Sequence, residues 1–207
     1  MVKQIRDPDA KERIVVAARR LVAERGVHAA SMRGIAYEAG VSTGAVTHYF
    51  TGKADVMTAV LRYNNEHIAE RIGKAAAGGS GLAALRAAME ALLPLDEEML
   101  LCWTVLTAFW GHGAAQQFVV AEGDSLGYRG LRAFVMSLLD QADEASELAD
   151  GVDVEHEAER IIALMGGIGM MVGGFPEQRE AIRKRARWML SEQIDALKSA
   201  QAGERPA

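Results

Sequence analysis

The stretch from Ser31 to Phe50, SMRGIAYEAGVSTGAVTHYF, constrains the fold most, because it predicts two short helices joined by a tight turn. Ser31 and Ser42 each precede a helical pattern and suit the N-cap position, where a hydroxyl accepts a hydrogen bond from a free backbone N–H. Gly40 suits the end of the first helix, where a residue in the left-handed conformation is usual. Val46 and Phe50 are four residues apart and are expected to face a core. The stretch therefore predicts a helix-turn-helix.

The outward side of the second short helix is expected to carry small and polar residues, which suit insertion into the DNA major groove. A histidine, a tyrosine and a lysine follow closely, and all three contact phosphates readily. A hairpin buried inside an ordinary all-α protein does not need such groups. The candidate DNA-binding residues are Ser31, Arg33, Ser42, Thr43, Gly44, Thr47, His48, Tyr49 and Lys53. Thr43, Gly44 and Thr47 are expected to approach base edges, and the others to hold the backbone, with a guanine as the alternative partner of Arg33.

The distribution of charge supports a nucleic-acid partner, although the net charge of the whole chain is −5. Residues 1–53 contain nine Lys or Arg against five Asp or Glu, a net charge of +4, so the remainder carries −9. A basic head on an acidic body is expected when one end of a protein meets phosphates and the other does not.

These residues resemble a known family. The run from Gly40 to Gly44, followed by His48-Tyr49-Phe50 and Lys53, resembles the signature of the TetR family of one-component transcriptional regulators. The position before His48 is often aromatic in that family, and Thr47 in its place is similar to the BetI-like branch. The segments 92–98, LLPLDEE, and 108–110, AFW, resemble the same branch.

The resemblance implies a three-helix head, a helical body that dimerises and binds a small molecule, and a long helix from Lys53 that connects the two. It also implies a repressor with two possible spacings of its DNA-binding heads, in which the ligand favours the spacing that does not fit DNA. With two heads per dimer, the expected partner is a pseudo-palindromic double-stranded operator with half-sites about 34–36 Å apart.

The fold class expected from the whole sequence is all-α, because strand-like alternation is hard to find and only four prolines occur. The predicted domains are a helix-turn-helix DNA-binding domain at 1–52 and a helical effector-binding and dimerisation domain at 53–200, followed by a disordered tail at 201–207. A glycine-rich linker is expected at 75–81. Periodicity predicts long helices over 7–25, 53–73, 82–93, 96–110, 113–141 (continuous or broken), 154–174 and 176–200. Gly26 is expected to close the first of these helices, and Asp96 is expected to cap the helix that runs to about residue 110. The expected buried stripe of the first helix is Ile14, Ala18, Leu21 and Val22, and that of the last helix is Ile182, Ala186, Met189, Leu190, Ile194 and Leu197.

Two of these helices are the expected dimer interface. The second half of the helix at 154–174, LMGGIGMMVGG, is apolar nearly all round, and its glycines allow neighbouring backbones to approach closely. The helices over 154–174 and 176–200 are therefore expected to pack with their symmetry mates as a four-helix bundle.

A pocket for the small molecule is expected in the body. The candidate lining residues are Trp103, Thr107, Phe109, Trp110, Tyr128, Met136 and Met165. An aromatic-lined pocket can hold a quaternary ammonium group by cation–π attraction, worth about 2 kcal/mol when desolvated. The BetI-like branch includes choline-responsive repressors, so the resemblance implies a quaternary amine or another apolar ligand. The alternative is that these rings are ordinary core, which is the commoner use of any single aromatic residue. Glu122 and Asp124 are candidate carboxylates by proximity in sequence.

Other classes of protein are disfavoured. The five histidines and Cys102 form no recognised metal spacing, so no metal or cofactor is expected, and no local motif indicates an enzyme. The charged N-terminus lacks the apolar stretch of a signal peptide, and the longest apolar run, 161–175, is shorter than the about 20 residues of a membrane span. A cytoplasmic protein is therefore expected. Two alternatives remain: a constitutive DNA-binding protein without an effector, and a helical small-molecule enzyme with an incidental hairpin.

Overall fold

The computed structural model describes residues 9–110 and 127–198. Its two compact units are Met1–Asn64 with Thr104–Glu122, and Asn65–Trp103 with Gly123–Ala207, each considered below over its described residues. The β-pairing found in the described ranges is an isolated antiparallel bridge between Leu148 and Lys198, so the predicted all-α class is confirmed. The domain boundaries at 52 and 200 stay predictions. The predicted tail and the first part of the helix predicted at 113–141 lie outside the described residues.

The first unit contains three helices, the start of a fourth and the helical residues 104–110. The three helices and the fourth are α1 (Ala10–Ala29), α2 (Met32–Glu38), α3 (Thr43–Tyr49) and the beginning of α4 (Lys53–Ala76). The α1 stripe expected from the sequence is buried, and it packs with apolar residues of the two short helices. The fully buried members of this core are Ile14, Ala18, Val22, Ile35 and Val46. Burial of this shared stripe holds α2 and α3 on α1, because each has seven residues and is too short to be stable alone.

The end of α1 corrects one prediction in part. Gly26 interrupts the helix as expected, with φ 77° and ψ 167°, in a region that glycine enters without the steric cost of a Cβ. A further short helical turn follows the kink and extends the element to Ala29. Val27, just beyond the kink, is buried, so core packing draws the chain into a further turn that local sequence does not indicate.

The second unit contains the end of α4 and most of the helical body. Its other helices are α5 (Gly81–Leu92), α6 (Glu97–Trp110), α7 (Tyr128–Glu144), α8 (Val154–Gly174) and α9 (Arg179–Asp195), with α6 belonging to this unit as far as Trp103. α5 packs against α7 and α9, and α8 also packs against both. The residues buried in this core include Leu85, Met89, Leu139, Ile161, Met165 and Leu190.

The connection between α5 and α6 is held by polar contacts. The predicted cap at Asp96 is confirmed, since the Met99 N–H donates to Asp96 Oδ1 over 2.9 Å. The Arg71 guanidinium also binds the Asp96 carboxylate, and its Nε donates to the Ala91 carbonyl over 2.9 Å. Burial raises the pKa of Asp96, but the Met99 N–H and Arg71 outweigh it and hold that pKa below its ordinary value. These bonds attach the end of α4 to the α5–α6 turn.

The start of α5 is capped by a distant residue. Ser80 occupies the N-cap position but makes no side-chain cap bond. The Leu82 N–H donates instead to Glu147 Oε2 over 2.8 Å. Since Glu147 follows α7 in the chain, this bond ties the end of α7 to the start of α5.

The last helix corrects a second prediction, because the helix predicted over 176–200 is too long at both ends. Pro176–Gln178 is a 3₁₀ turn, and α9 stops at Asp195. The reason is tertiary: the Ala149 N–H donates to the Leu197 carbonyl over 2.9 Å, next to the bridge between Leu148 and Lys198. The expected buried stripe of α9 is nevertheless present, with Ile182, Ala186, Leu190 and Ile194 in the core.

Membrane-spanning potential is low among the described helices. None of them is individually long and apolar enough to cross a bilayer, although α8 and α9, which meet at a bend of 106°, pass that test of length and composition when taken together.

Candidate nucleic-acid interface

The two serine caps predicted from the sequence are confirmed. Ser31 Oγ accepts a hydrogen bond from the Gly34 N–H over 3.1 Å, and Ser42 Oγ accepts one from the Ala45 N–H over 3.1 Å. Gly40 has a φ of 66°, which completes the turn between α2 and α3. A serine hydroxyl that accepts one bond still carries its own O–H donor. Each cap can therefore define a helix start and donate to a phosphate.

The second short helix, α3, separates its buried side from its exposed side as predicted. Val46 is fully buried and Phe50 is 3% exposed. The residues on the exposed side are Thr43, Gly44, Thr47 and His48. The Thr47 hydroxyl donates to the Gly44 carbonyl over 3.1 Å. Toward DNA, Thr47 can offer its methyl group and its oxygen as an acceptor, which suits a thymine methyl or a base amino group.

None of the residues that the structure describes requires a glycine at position 44. A Cβ built on it would meet Ser42 Oγ at 3.7 Å, an ordinary contact distance, and its φ lies outside the left-handed region. A glycine in a helix is destabilising relative to alanine by about 0.5–1 kcal/mol. A close approach by an external surface is the remaining physical reason for a residue without a side chain at this position.

The far end of α3 brings the phosphate-binding candidates together. The rings of His48 and Tyr49 lie edge to face, with centroids 5.1 Å apart and planes at 77°. Lys53 Nζ donates to the His28 carbonyl over 3.0 Å, at the C-terminal end of α1, where a helix carries partial negative charge. An ammonium has three donors, so Lys53 can hold this contact and bind a phosphate as well.

A buried contact that the sequence analysis did not assign attaches α1 to α4. Arg19 is only 5% exposed, and its Nε donates to Oδ1 of the fully buried Asn64 over 3.1 Å. Its guanidinium also lies 5.8 Å from the centroid of the Tyr63 ring. The available signal was a charged residue inside the apolar stripe of α1, since a buried charge requires a partner. The contact holds α1 and the beginning of α4 together.

The effector-pocket candidates in the second unit differ from one another in burial. Trp103 is 3% exposed, its indole N–H donates to the Leu92 carbonyl over 2.8 Å, and a Cβ on Gly169 of α8 would overlap its ring. Met165, one turn earlier on α8, is fully buried. Tyr128 and Met136 lie on α7, the first exposed and the second half-buried. The structure thus places Trp103 directly against the backbone of α8.

The remaining candidates lie on the part of α6 that belongs to the first unit. Phe109 is buried and Trp110 is 47% exposed. The half-buried Thr107 donates its hydroxyl to the Thr104 carbonyl over 3.0 Å. Glu122 and Asp124 lie outside the described residues. Across the described ranges, no group of three or more His, Cys, Asp or Glu side chains is positioned to hold a metal ion.

Two family models match the chain and cover most of its length. The model for bacterial regulatory proteins of the tetR family matches residues 14–60, and the model for the C-terminal part of BetI-type transcriptional repressors matches residues 82–199. The HTH-type transcriptional regulator PksA of Bacillus subtilis is 31% identical over 176 residues, which cover 82% of each protein. The chain belongs to the TetR family. It is a transcriptional regulator and not an enzyme.

Other relatives and solved structures agree with this TetR-family assignment. The HTH-type transcriptional regulator BetI of Yersinia pestis is 37% identical over 65 residues, or 31% of this chain and 33% of that protein. A transcriptional regulator from Rhodococcus sp. Rha1 superposes with a TM-score of 0.70 at 25% identity, covering 90% of this chain and 97% of that one. One from Saccharomonospora viridis, in complex with choline, has a TM-score of 0.78 at 23% identity, with coverage of 91% and 96%. TetR-family regulators bind DNA and act as dimers.

Proposed function

We propose that this TetR-family regulator is a homodimeric repressor that binds a pseudo-palindromic operator in the cytoplasm and is released by a small molecule. The observation that carries the DNA-binding part is the exposed side of α3, which presents small and polar residues directly beside the phosphate-binding candidates at its far end. Such a helix fits the major groove without a bulky apolar side chain in the way.

The DNA contacts divide into two groups. Thr43, Gly44 and Thr47 approach base edges and carry sequence preference. The residues that hold the phosphate backbone and fix the register are Ser31, Arg33, Ser42, His48, Tyr49 and Lys53. The two capping serines and Lys53 already have defined positions from their bonds within the head, so little ordering is needed when DNA binds.

Homodimerisation is proposed through α8 and α9. Six large hydrophobic side chains are well exposed among the described residues, and three of them, Met170, Phe175 and Trp188, lie on or between these two helices. A Cβ on the exposed Gly167 of α8 would meet none of the described residues within 4 Å, which leaves room for a partner helix. Burial of this apolar face against a second copy, as a four-helix bundle, removes it from water.

The effector is proposed to be a quaternary amine or another apolar molecule. Support comes from the choline bound by the structurally similar Saccharomonospora viridis regulator and from the BetI-type model that matches the body. Trp103, Thr107, Phe109, Trp110, Tyr128, Met136 and Met165 remain the proposed lining. A ligand can alter operator affinity only by preferring one of two head spacings, and release requires preference for the one that misfits DNA.

A binding titration tests the assignment of DNA contacts. Fluorescence anisotropy with the DNA upstream of the protein's own gene is compared for wild type, Thr43→Ala and Lys53→Ala. Thr43→Ala is expected to alter base preference, while Lys53→Ala weakens all sequences alike and lessens the salt slope by about one per head. Because Lys53 also binds the His28 carbonyl, thermal melting of each variant separates lost contacts from lost stability. Equal, sequence-independent effects of both changes would refute the assignment.

The proposed dimer interface is tested by sedimentation of Met170→Glu and Trp188→Glu, each of which places a charge on the apolar face. Both are expected to dissociate the dimer at micromolar concentration, because an unpaired charge resists burial. Tyr128→Glu, a similar change at an exposed aromatic outside this face, is the matched control and should remain dimeric. Dimeric Met170→Glu and Trp188→Glu would rule out this interface.

Effector release is tested with choline and a panel of amines and lipophilic compounds. A compound that raises the melting temperature is expected to lower operator affinity. If none of them changes operator affinity, the protein is better described as a constitutive DNA-binding protein.

A further inference from the structure

Tyr37 of α2 has an exposed ring that the proposed contacts do not use. Its side chain is 87% exposed, the largest value among the exposed large hydrophobic residues that the structure describes. A single exposed aromatic residue is not unusual by itself. Its position relative to α1 and to Arg33 is what makes it informative.

The packing of α2 determines which way Tyr37 points. A Cβ on Gly34 would lie 4.0 Å from Leu21 Cδ1 of α1, and Glu38 lines a surface groove of about 290 Å³ together with α1 residues. Gly34 and Glu38 therefore mark the side of α2 that faces α1. Ile35 and Ala36 are in the core. The exposed side left over carries Arg33 and Tyr37, which are four residues apart and share one face of the helix.

That face continues the proposed DNA-binding surface. In a helix-turn-helix the recognition helix enters the groove and the preceding helix crosses the backbone. Here the supporting helix α1 covers the opposite side of α2. Ser31 and Arg33 mark the start of the exposed face, and Tyr37 lies about 6 Å beyond Arg33 along the helix axis. Arg33 and Tyr37 thus lie one above the other on the surface that α1 leaves open, and Ser31 caps the start of the same helix.

We propose that Tyr37 donates its phenolic hydroxyl to an operator phosphate, one helical turn beyond Arg33. The inference rests on the proposed function, because it extends the same DNA-binding surface. Tyrosine is among the side chains that bind DNA phosphates, and such contacts fix orientation without reading sequence. Tyr37 is a positioning residue of the head and adds no base preference.

The neutral hydroxyl gives this contact a distinctive signature. Neutralising a phosphate with Arg or Lys releases counterions and makes affinity depend on salt. A hydrogen bond from an uncharged O–H displaces no counterion. Removal of the Tyr37 hydroxyl should therefore lower affinity by the same factor at every salt concentration, whereas removal of the Arg33 charge should change the slope.

The test compares wild type, Tyr37→Phe, Arg33→Ala and Ser137→Ala as dimers. Anisotropy is measured on the upstream fragment and on shuffled fragments between about 50 and 200 mM salt, the range over which phosphate contacts alter affinity. Tyr37→Phe should lose about fivefold per hydrogen bond, or about 25-fold for a dimer with two heads, on every fragment and with an unchanged slope. Arg33→Ala should lessen the slope by about one per head. Ser137→Ala also removes one exposed hydroxyl, from α7 of the body and outside every proposed site, and should bind like wild type.

The outcomes separate this inference from the function on which it rests. Since Tyr37 is exposed, Tyr37→Phe should melt like wild type, so lost affinity reports the contact. Wild-type affinity in Tyr37→Phe overturns the role of Tyr37 and leaves the DNA-binding proposal standing. A loss restricted to particular base pairs, or a changed salt slope, also overturns a neutral phosphate contact. If wild type itself ignores every fragment at low salt, the proposed function fails and the role of Tyr37 fails with it.

Discussion

Replacement of Gly44 by alanine should stabilise the folded protein and weaken its binding to DNA. Of the described residues, an added Cβ meets the Ser42 hydroxyl alone, at 3.7 Å, so these residues can accept it without rearrangement. The same methyl group projects from the exposed side of α3, where the proposed operator contact brings base edges close. A gain in folding stability together with a loss of DNA affinity is expected only if the glycine serves DNA binding and not the fold.

The gain in stability can be estimated from helix propensity. Alanine is favoured over glycine by about 0.8–1.0 kcal/mol in a helix interior. Gly44 is the second residue of a seven-residue helix, so we expect about 0.5–1 kcal/mol per chain. In a chain of this length 1 kcal/mol corresponds to about 2–4 °C in melting temperature, which predicts a rise of about 1–4 °C.

The loss of affinity can be estimated from the cost of overpacking. A methyl group forced into a close-packed contact costs about 1–3 kcal/mol, equivalent to about 5- to 150-fold per head. The loss applies twice in a dimer with both heads on an operator. Anisotropy at constant salt measures the affinity, and melting at equal protein concentration measures the stability, because dimer melting depends on concentration.

Gly73→Ala is the matched control for Gly44→Ala. Gly73 is also a helical glycine, and an added Cβ on it would meet no described residue within 4 Å, but it lies near the end of α4, far along the chain from α3. It should raise the melting temperature and leave operator affinity unchanged. The reasoning about Gly44 is refuted if Gly44→Ala binds DNA as tightly as wild type, or if it melts at a lower temperature.

Three further predictions concern the body. Gly169→Ala should lower the free energy of unfolding by about 1–2 kcal/mol net, because the clash of its Cβ with the buried Trp103 ring costs more than alanine gains in helix propensity. Denaturant unfolding should show recovered stability in the double variant with Trp103→Leu. Additive losses from the two changes would contradict this contact. Glu147→Ala should cost about 1 kcal/mol by uncapping α5, with Glu144→Ala as the exposed control, and equal unfolding midpoints would contradict the cap. Asp96→Asn keeps the cap but removes the charge that pairs with Arg71, at a cost of at most about 1 kcal/mol at pH 7. Since the folded-state pKa of Asp96 is depressed, the stability that its charge contributes is present above the ordinary value of 3.8 and is lost as the pH falls through the folded-state pKa. The unfolding free energies of wild type and Asp96→Asn, measured against pH, should therefore converge in acid. A difference between them that stays constant with pH would contradict this assignment.

The local parts of the DNA-binding head could be predicted from the sequence. Ser31 and Ser42 as caps, Gly40 as the left-handed residue and the buried pair of α3 all depend on interactions within a few residues. Short-range hydrogen bonds and helical spacing are properties of the residue types themselves, so the pattern is sufficient to place them. The same holds for the cap at Asp96 and for the buried stripe of α9.

Contacts between distant residues could not be predicted in this way. The bond from Arg19 to Asn64 and the cap from Glu147 to Leu82 join residues 45 and 65 positions apart. The sequence does not assign Tyr37, because the spacing of α2 does not say which of its faces α1 covers. The short turn beyond Gly26 was missed for a related reason, since Val27 in that turn is buried in the tertiary core.

By itself, the sequence determined where the short helices of the head begin and turn, which side of α3 is polar, and that the chain is a basic head followed by an acidic body. These features follow from hydrogen bonds and periodicities that act within one or two helical turns. Only the tertiary structure decided where α9 ends, what caps α5 and which side of α2 is open. Each of these depends on a partner brought close by folding of the whole core, and no local rule of spacing specifies that partner.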